Sequence, residues 1–147
     1  QTVIAGSKLA VEKASEALKA AGAKRALPLP VSAPFHCSLM KPAAEKLKEK
    51  LHDTNIATPT IALINNIDVK IESQPDAIRD ALYRQAFGPV RWVETIQKMA
   101  SLNMTHIVEC GPGKVLAGMV KRISPDLNGH ALFDPTSLQE VKTNILG

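Results

Sequence analysis

Thr105-His106-Ile107-Val108-Glu109-Cys110-Gly111-Pro112-Gly113 is the stretch that decides the fold class. A short run around the β-branched pair Ile107-Val108 meets a glycine-proline-glycine break, and then Val115, Leu116, Met119, Val120 and Ile123 recur at helical spacing. Strand, turn, helix is the unit from which α/β proteins are assembled. The turn also invites a phosphate-loop reading. A Walker loop, however, needs a glycine five positions before its Gly-Lys, where Val108 stands, and a hydroxyl where Val115 stands. The glycines therefore read as a tight turn with close helix packing.

Working upstream, residues 90–101 form an amphipathic pattern with Trp92, Val93, Ile96, Met99 and Ala100 apolar, after a break at Gly88-Pro89. Ser73-Gln74-Pro75-Asp76 has the form of a capping box and predicts a helix with Ile78, Ala81 and Leu82 along one stripe. Gln85 continues that stripe seven residues after Ile78. An amide on an apolar face must find a partner or curve out to water, because burying it unpaired costs about 1 to 3 kcal/mol. Ile61-Ala62-Leu63-Ile64, bounded by Asn65-Asn66, reads as a buried strand. Strands at 61–64 and 105–110 separated by helices predict a parallel or mixed sheet covered on both faces, hence the class α/β. Downstream, residues 130–133 read as extended and 136–146 as a weak final helix.

At the other end, Val3-Ile4-Ala5 reads as a strand, and Ser7 as the N-cap of a helix bearing Ala10, Val11, Ala14, Ala17, Leu18 and Ala21, stopped by Gly22. Residues 24–31 alternate Leu27 and Leu29 with Pro28 and Pro30, which suits an edge strand. Such a strand, helix, strand unit over 1–31 cannot bury both faces of its sheet, so its other strands are expected upstream of Gln1. The missing initiator methionine suggests a processed or truncated chain. Residues 32–147 form the second division. It opens at Pro34-Phe35-His36-Cys37, where an extended, proline-restricted run meets a helix carrying Met40, Ala43, Ala44, Leu47 and Leu51, with Pro42 tolerated in its first turn. A histidine at such a junction can be aimed by two rigid elements, but on residues alone a structural role outweighs catalysis until a partner is found.

Composition narrows the functional classes. A hydrophobic fraction of 45% with 22% charged residues is that of a globular domain, not a disordered chain. The formal charge of +4 favours an acidic partner. Nucleic acid is the weaker candidate, because Phe35, Tyr83, Phe87, Trp92 and Phe133 are scattered and make no stacking platform. Cys37 and Cys110 do not make a disulfide scaffold, and neither joins a metal-spaced cluster with His52, His106 or His130, so no metal and no cofactor is expected and a reducing cytoplasm is the default. No run approaches a membrane span.

Taken in order, Val3-Ile4-Ala5-Gly6, Pro34-Phe35-His36-Cys37, Asn65-Asn66-Ile67-Asp68-Val69, Arg84-Gln85, Pro89-Val90-Arg91-Trp92 and Glu109-Cys110-Gly111-Pro112-Gly113-Lys114 resemble the C-terminal half of the malonyl-CoA:acyl-carrier-protein transacylases, acyltransferases of bacterial fatty acid synthesis. The resemblance covers essentially the whole chain. It implies part of an α/β-hydrolase-like acyltransferase core at 32–147, with the remainder of a ferredoxin-like small subdomain at 1–31. It implies transfer of malonyl from malonyl-CoA to the phosphopantetheine thiol of acyl carrier protein through a serine acyl-enzyme. His36 would be the general base, Gln85 would hold it through a backbone carbonyl, and Phe35 would narrow the acyl pocket. The pairs Lys24-Arg25 and Lys121-Arg122 become candidates for docking the acidic carrier or coenzyme A phosphates, against solvated surface charge as the alternative.

The departure is one-sided. The family's serine elbow is absent, and no Gly-x-Ser-x-Gly pattern occurs in the chain. The chain alone is therefore expected to be inactive and to need a missing N-terminal half, or to self-associate through exposed apolar surface. A non-catalytic module binding the carrier or another partner is the competing reading.

Overall fold

The computed structural model describes residues 2–147, and its backbone contacts divide the chain into two compact units, Gln1–Arg91 and Trp92–Gly147. In the first unit, helix α1 (Lys8–Ala20) begins where the sequence places it, with the Ser7 hydroxyl accepting the Ala10 amide. It ends in a Schellman motif: Gly22, at φ +96°, donates to the Lys19 carbonyl and Ala23 to that of Leu18. No residue of α1 is buried. The flanking segments expected to be strands, Val3-Ile4-Ala5 and residues 24–31, join no ladder. A strand is fixed by its partner, no strand within the described residues reaches them, and Pro28 and Pro30 have removed two donors.

A single 3-10 turn, Ser38–Met40, leads into α2 (Lys41–His52), which accommodates Pro42 in its first turn. Helix α2 packs against α3 (Pro75–Gln85), with Ala44 of α2 and Ile78 and Ala81 of α3 buried. Polar side chains fasten the two helices. The Tyr83 hydroxyl donates to Glu45 at 2.6 Å, Lys48 lies over the Tyr83 ring, and Arg79 donates to the carbonyls of Leu51 and Thr54 at the end of α2. Tyr83 is held above the usual phenol range, first by its bond to the Glu45 carboxylate. The expected capping box is not formed. Pro75 occupies the first turn of α3, which makes Gln74 the N-cap, one residue later than Ser73, and Gln74 makes no side-chain cap.

Between α2 and α3, β1 (Leu63–Ile64) pairs antiparallel with β2 (Ile71–Glu72). This corrects the reading of residues 61–64 as a buried strand in one sheet with 105–110. Ile61 is 82% exposed, the ladder is two residues long, and the two segments belong to different units. An apolar run bounded by asparagines looks the same whether it crosses a sheet or turns back in a hairpin.

In the second unit, α4 (Trp92–Ser101) precedes a parallel pair, β3 (His106–Cys110) and β4 (Asn128–Leu132), joined through α5 (Ala117–Ile123) and followed by α6 (Pro135–Leu146). The register runs from His106 opposite Asn128 to Cys110 opposite Leu132. The core is Ile96, Val120 and Leu127, flanked by Trp92, Met99, Ala100, Ile107 and Ile123. Helix α5 starts later than its pattern predicts: the Glu109 carboxylate accepts the Ala117 amide at 2.8 Å, and Val115 stays outside the helix, 72% exposed. Helix α6 opens with a reciprocal capping box between Asp134 and Ser137. The amide and hydroxyl of Ser137 hold the Asp134 carboxyl below its ordinary range.

Gly129 lets β4 lie directly beneath the start of α5, because a Cβ there would strike the Ala117 carbonyl oxygen. Gly129→Ala is expected to destabilise the second unit by about 1 to 3 kcal/mol through overpacking, measured by urea denaturation followed at Trp92.

Candidate functional site

His36 sits at φ +60°, in the left-handed region, where a non-glycine residue is uncommon. The surrounding loop holds it there. The Phe35 amide donates to the Ala33 carbonyl, the Cys37 thiol to the Pro34 carbonyl at 3.1 Å, and the Met40 amide to the Cys37 carbonyl as the 3-10 turn begins. This conformation brings His36 Nδ1 to 3.1 Å from the backbone carbonyl oxygen of Gln85, forty-nine residues on.

That carbonyl is available for a simple reason. The last carbonyls of a helix have no intrahelical donor, and Gln85 is the final residue of α3. The Tyr83 and Arg84 carbonyls are taken by the Ala86 and Phe87 amides, and the Gln85 carbonyl is taken by the histidine. A carbonyl oxygen only accepts, so Nδ1 carries the proton and the lone pair of the neutral ring resides on Nε2. The helix C-terminus is also the negative end of the helix dipole and favours a cation beside it. The arrangement can take a proton at Nε2 and stabilise the imidazolium that results.

The Gln85 side chain, expected to need a partner on its apolar stripe, has one: its Oε1 accepts the Asn66 amide at 2.9 Å. Beside it, Arg84 grips Asp68 with two guanidinium nitrogens, at 2.9 and 2.5 Å, and donates a third bond to Asp80 at 2.7 Å. Hydrogen bonding by Arg84 holds the Asp68 carboxyl below its usual range, and the two carboxylates push the Arg84 guanidinium still higher. Sequence reading missed this anchor. Its signals were the asparagine-aspartate density at 65–68 and the adjacency of Arg84 to Gln85, neither of which reveals a partner.

The other expected site residues are exposed. Phe35, next to His36, is 47% exposed; Lys24 and Arg25 lie on the segment after α1, in the first unit. Lys121 and Arg122 lie in the last turn of α5, in the second, where positive charge also suits the helix end. Among the described residues no group of three His, Cys, Asp or Glu side chains could hold a metal ion, and no helix is long and apolar enough to cross a membrane.

No protein-family model matches the chain. Individual relatives do. The malonyl CoA-acyl carrier protein transacylase of Escherichia coli is 54% identical over 138 residues, which is 94% of this chain and 45% of that protein. The crystal structure of acyl-carrier-protein S-malonyltransferase from Burkholderia pseudomallei superposes with a TM-score of 0.88 at 58% identity, again over 94% of this chain and 45% of the other. A malonyl-transacylase solved in complex with a type II PKS acyl-carrier protein gives 0.90 at 50% identity, over 95% and 45%. The chain spans about half the length of the curated relatives it matches.

Identity at this level over nearly the whole chain, with the fold superposing, puts it among the relatives of the acyltransferases. In particular, it is homologous to the C-terminal half of the malonyl-CoA:acyl-carrier-protein transacylases.

The Asp68–Arg84 pair has a defined pH signature. Because the folded carboxyl titrates below its unfolded value, its contribution is complete above about pH 4 and is lost as pH falls through the depressed folded value. Asp68→Asn is expected to lower stability at neutral pH and to flatten its decline as pH falls below about 4, read by denaturation at each pH.

Proposed function

We propose that this chain supplies the histidine half of the active site of a malonyl-CoA:acyl-carrier-protein transacylase. The observation that carries the reading is the bond from His36 Nδ1 to the Gln85 carbonyl, because it leaves Nε2 as the acceptor a hydroxyl nucleophile requires. In the reaction, a serine supplied outside this sequence gives its proton to Nε2 as its oxygen attacks the malonyl thioester. The imidazolium then returns the proton to the departing coenzyme A sulfur. The carrier thiol repeats the cycle in reverse: Nε2 takes its proton, the sulfur attacks the acyl-serine, and serine recovers the proton on leaving. A neutral carbonyl stabilises the imidazolium less than the carboxylate of a Ser-His-Asp triad, and a thiol leaving group asks for less.

Phe35 narrows the acyl pocket, and Lys24, Arg25, Lys121 and Arg122 attract the acidic carrier or the coenzyme A phosphates; their exposure supports both roles. Residues 1–31 complete a ferredoxin-like subdomain and residues 32–147 an α/β-hydrolase-like core, in a cytoplasmic enzyme. The unpaired segments around α1 and the exposure of Leu27 at 73% and Ile61 at 82% support association with a complementary half, or between copies of this chain.

Incubated alone with labelled malonyl-CoA, the chain is expected to form no serine ester, and detection of one by mass spectrometry would defeat the reading. In the complete transacylase, His36→Ala should lower kcat by about 10²- to 10⁴-fold. Reversing charge at Arg25 and Arg122 should raise KM for the carrier protein and leave kcat in place, and an unchanged KM would remove them from docking.

A further inference from the structure

The geometry points to the turn at residues 65–70 as a positioning device for His36, acting through Gln85 and Arg84; this rests on the reading of His36 as the proton-transfer base. Gln85 is used from both ends. Its backbone oxygen receives the imidazole, and its side-chain oxygen receives the Asn66 amide. A helix terminus frays unless something holds it, so a carbonyl on the final residue of α3 is a poor fixture by itself. Here the last turn is fastened at consecutive residues, by Arg84 to Asp68 and by Gln85 to Asn66. Just beyond it, a Cβ on Gly88 would collide with the Ile67 side chain, and the Arg91 amide donates to the Asn66 carbonyl.

The fixture is itself over-determined. Asn65 is 7% exposed and spends its side chain on the turn: Oδ1 accepts the Asp68 amide at 2.7 Å, and Nδ2 donates to Glu72 at 3.3 Å. The Asn65 amide donates to the Lys70 carbonyl, and the Val69 amide donates back to the Asn65 carbonyl. Val69 is held at φ +58°, a conformation a β-branched residue does not adopt unless its surroundings impose it. A turn closed this tightly gives α3 a rigid stop, and the stop fixes where the Gln85 carbonyl points.

The chemical consequence concerns the tautomer. If the carbonyl swings away, nothing keeps the proton on Nδ1, and a ring protonated on Nε2 cannot accept a proton from serine. Gln85, Asp68 and Arg84 are thus positioning residues, and their loss should reduce turnover and leave substrate binding intact.

The test pairs Gln85→Met, which keeps the backbone carbonyl and the side-chain length but has no Oε1, with Gln85→Glu, which restores an acceptor. Long-range ¹H–¹⁵N spectra of the His36 ring are recorded on the full chain, and kcat and KM on the complete transacylase. The expected result is a shift of His36 away from the Nδ1–H tautomer in Gln85→Met, with kcat lower by about 100-fold and KM for malonyl-CoA unchanged, and recovery in Gln85→Glu. Asp68→Asn, read the same way, replaces Gln85→Met should that variant fail to fold. Wild-type tautomer and kcat in the variant overturn the inference, as does equal impairment of Gln85→Glu. If His36→Ala leaves kcat untouched, the fault lies with the reading of His36 as the base.

Discussion

The hydrogen bond from His36 to the Gln85 carbonyl is the constraint on which the first unit turns. It joins a loop on one side of α2 to the far end of α3, and it can form only if both arrive with the right faces. The loop contributes a left-handed histidine, stiffened by Pro34 and stopped by the 3-10 turn. Helix α3 contributes an unsatisfied oxygen at a position set by its packing on α2 through Ala44, Ile78 and Ala81. One bond thereby converts the packing of two helices into the orientation of a single ring.

Much of this was legible in the sequence, and the reasons it was legible are physical. Helices announce themselves through periodicity and caps: Ser7, Pro42 and Gly22 each do in the structure what their chemistry predicts. The strand at 105–110 and its glycine turn were equally plain, and β4 extends two residues further upstream than the extended piece read at 130–133. Partners were not legible. Residues 61–64 carry the same apolar signature as a buried strand, yet lie in a short hairpin, because which strand pairs with which is decided by contacts the local sequence does not encode.

The candidate site divides along the same line. His36 and Gln85 were singled out by their odd positions, a histidine at a junction and an amide on an apolar stripe, and the structure brings these two together. The resemblance to the transacylases supplied the role that position alone could not. The bracing turn went unread since Asn65, Asp68 and Arg84 are individually ordinary polar residues. Their importance lies in geometry: a bidentate grip, a left-handed valine, and an amide that faces two ways.

The segment after α1 carries a further consequence. Prolines at 28 and 30 stand two apart, so in an extended chain both missing amides would fall on the same edge, leaving that edge acceptors without donors. The opposite edge keeps its amides at Leu27 and Leu29. A neighbouring strand therefore pairs less well along the proline edge, while on the other edge the Leu29 carbonyl is already taken by the Val31 amide. Exposed leucines in an unpaired stretch would ordinarily be a seed for strand-upon-strand growth, and the two missing amides oppose it.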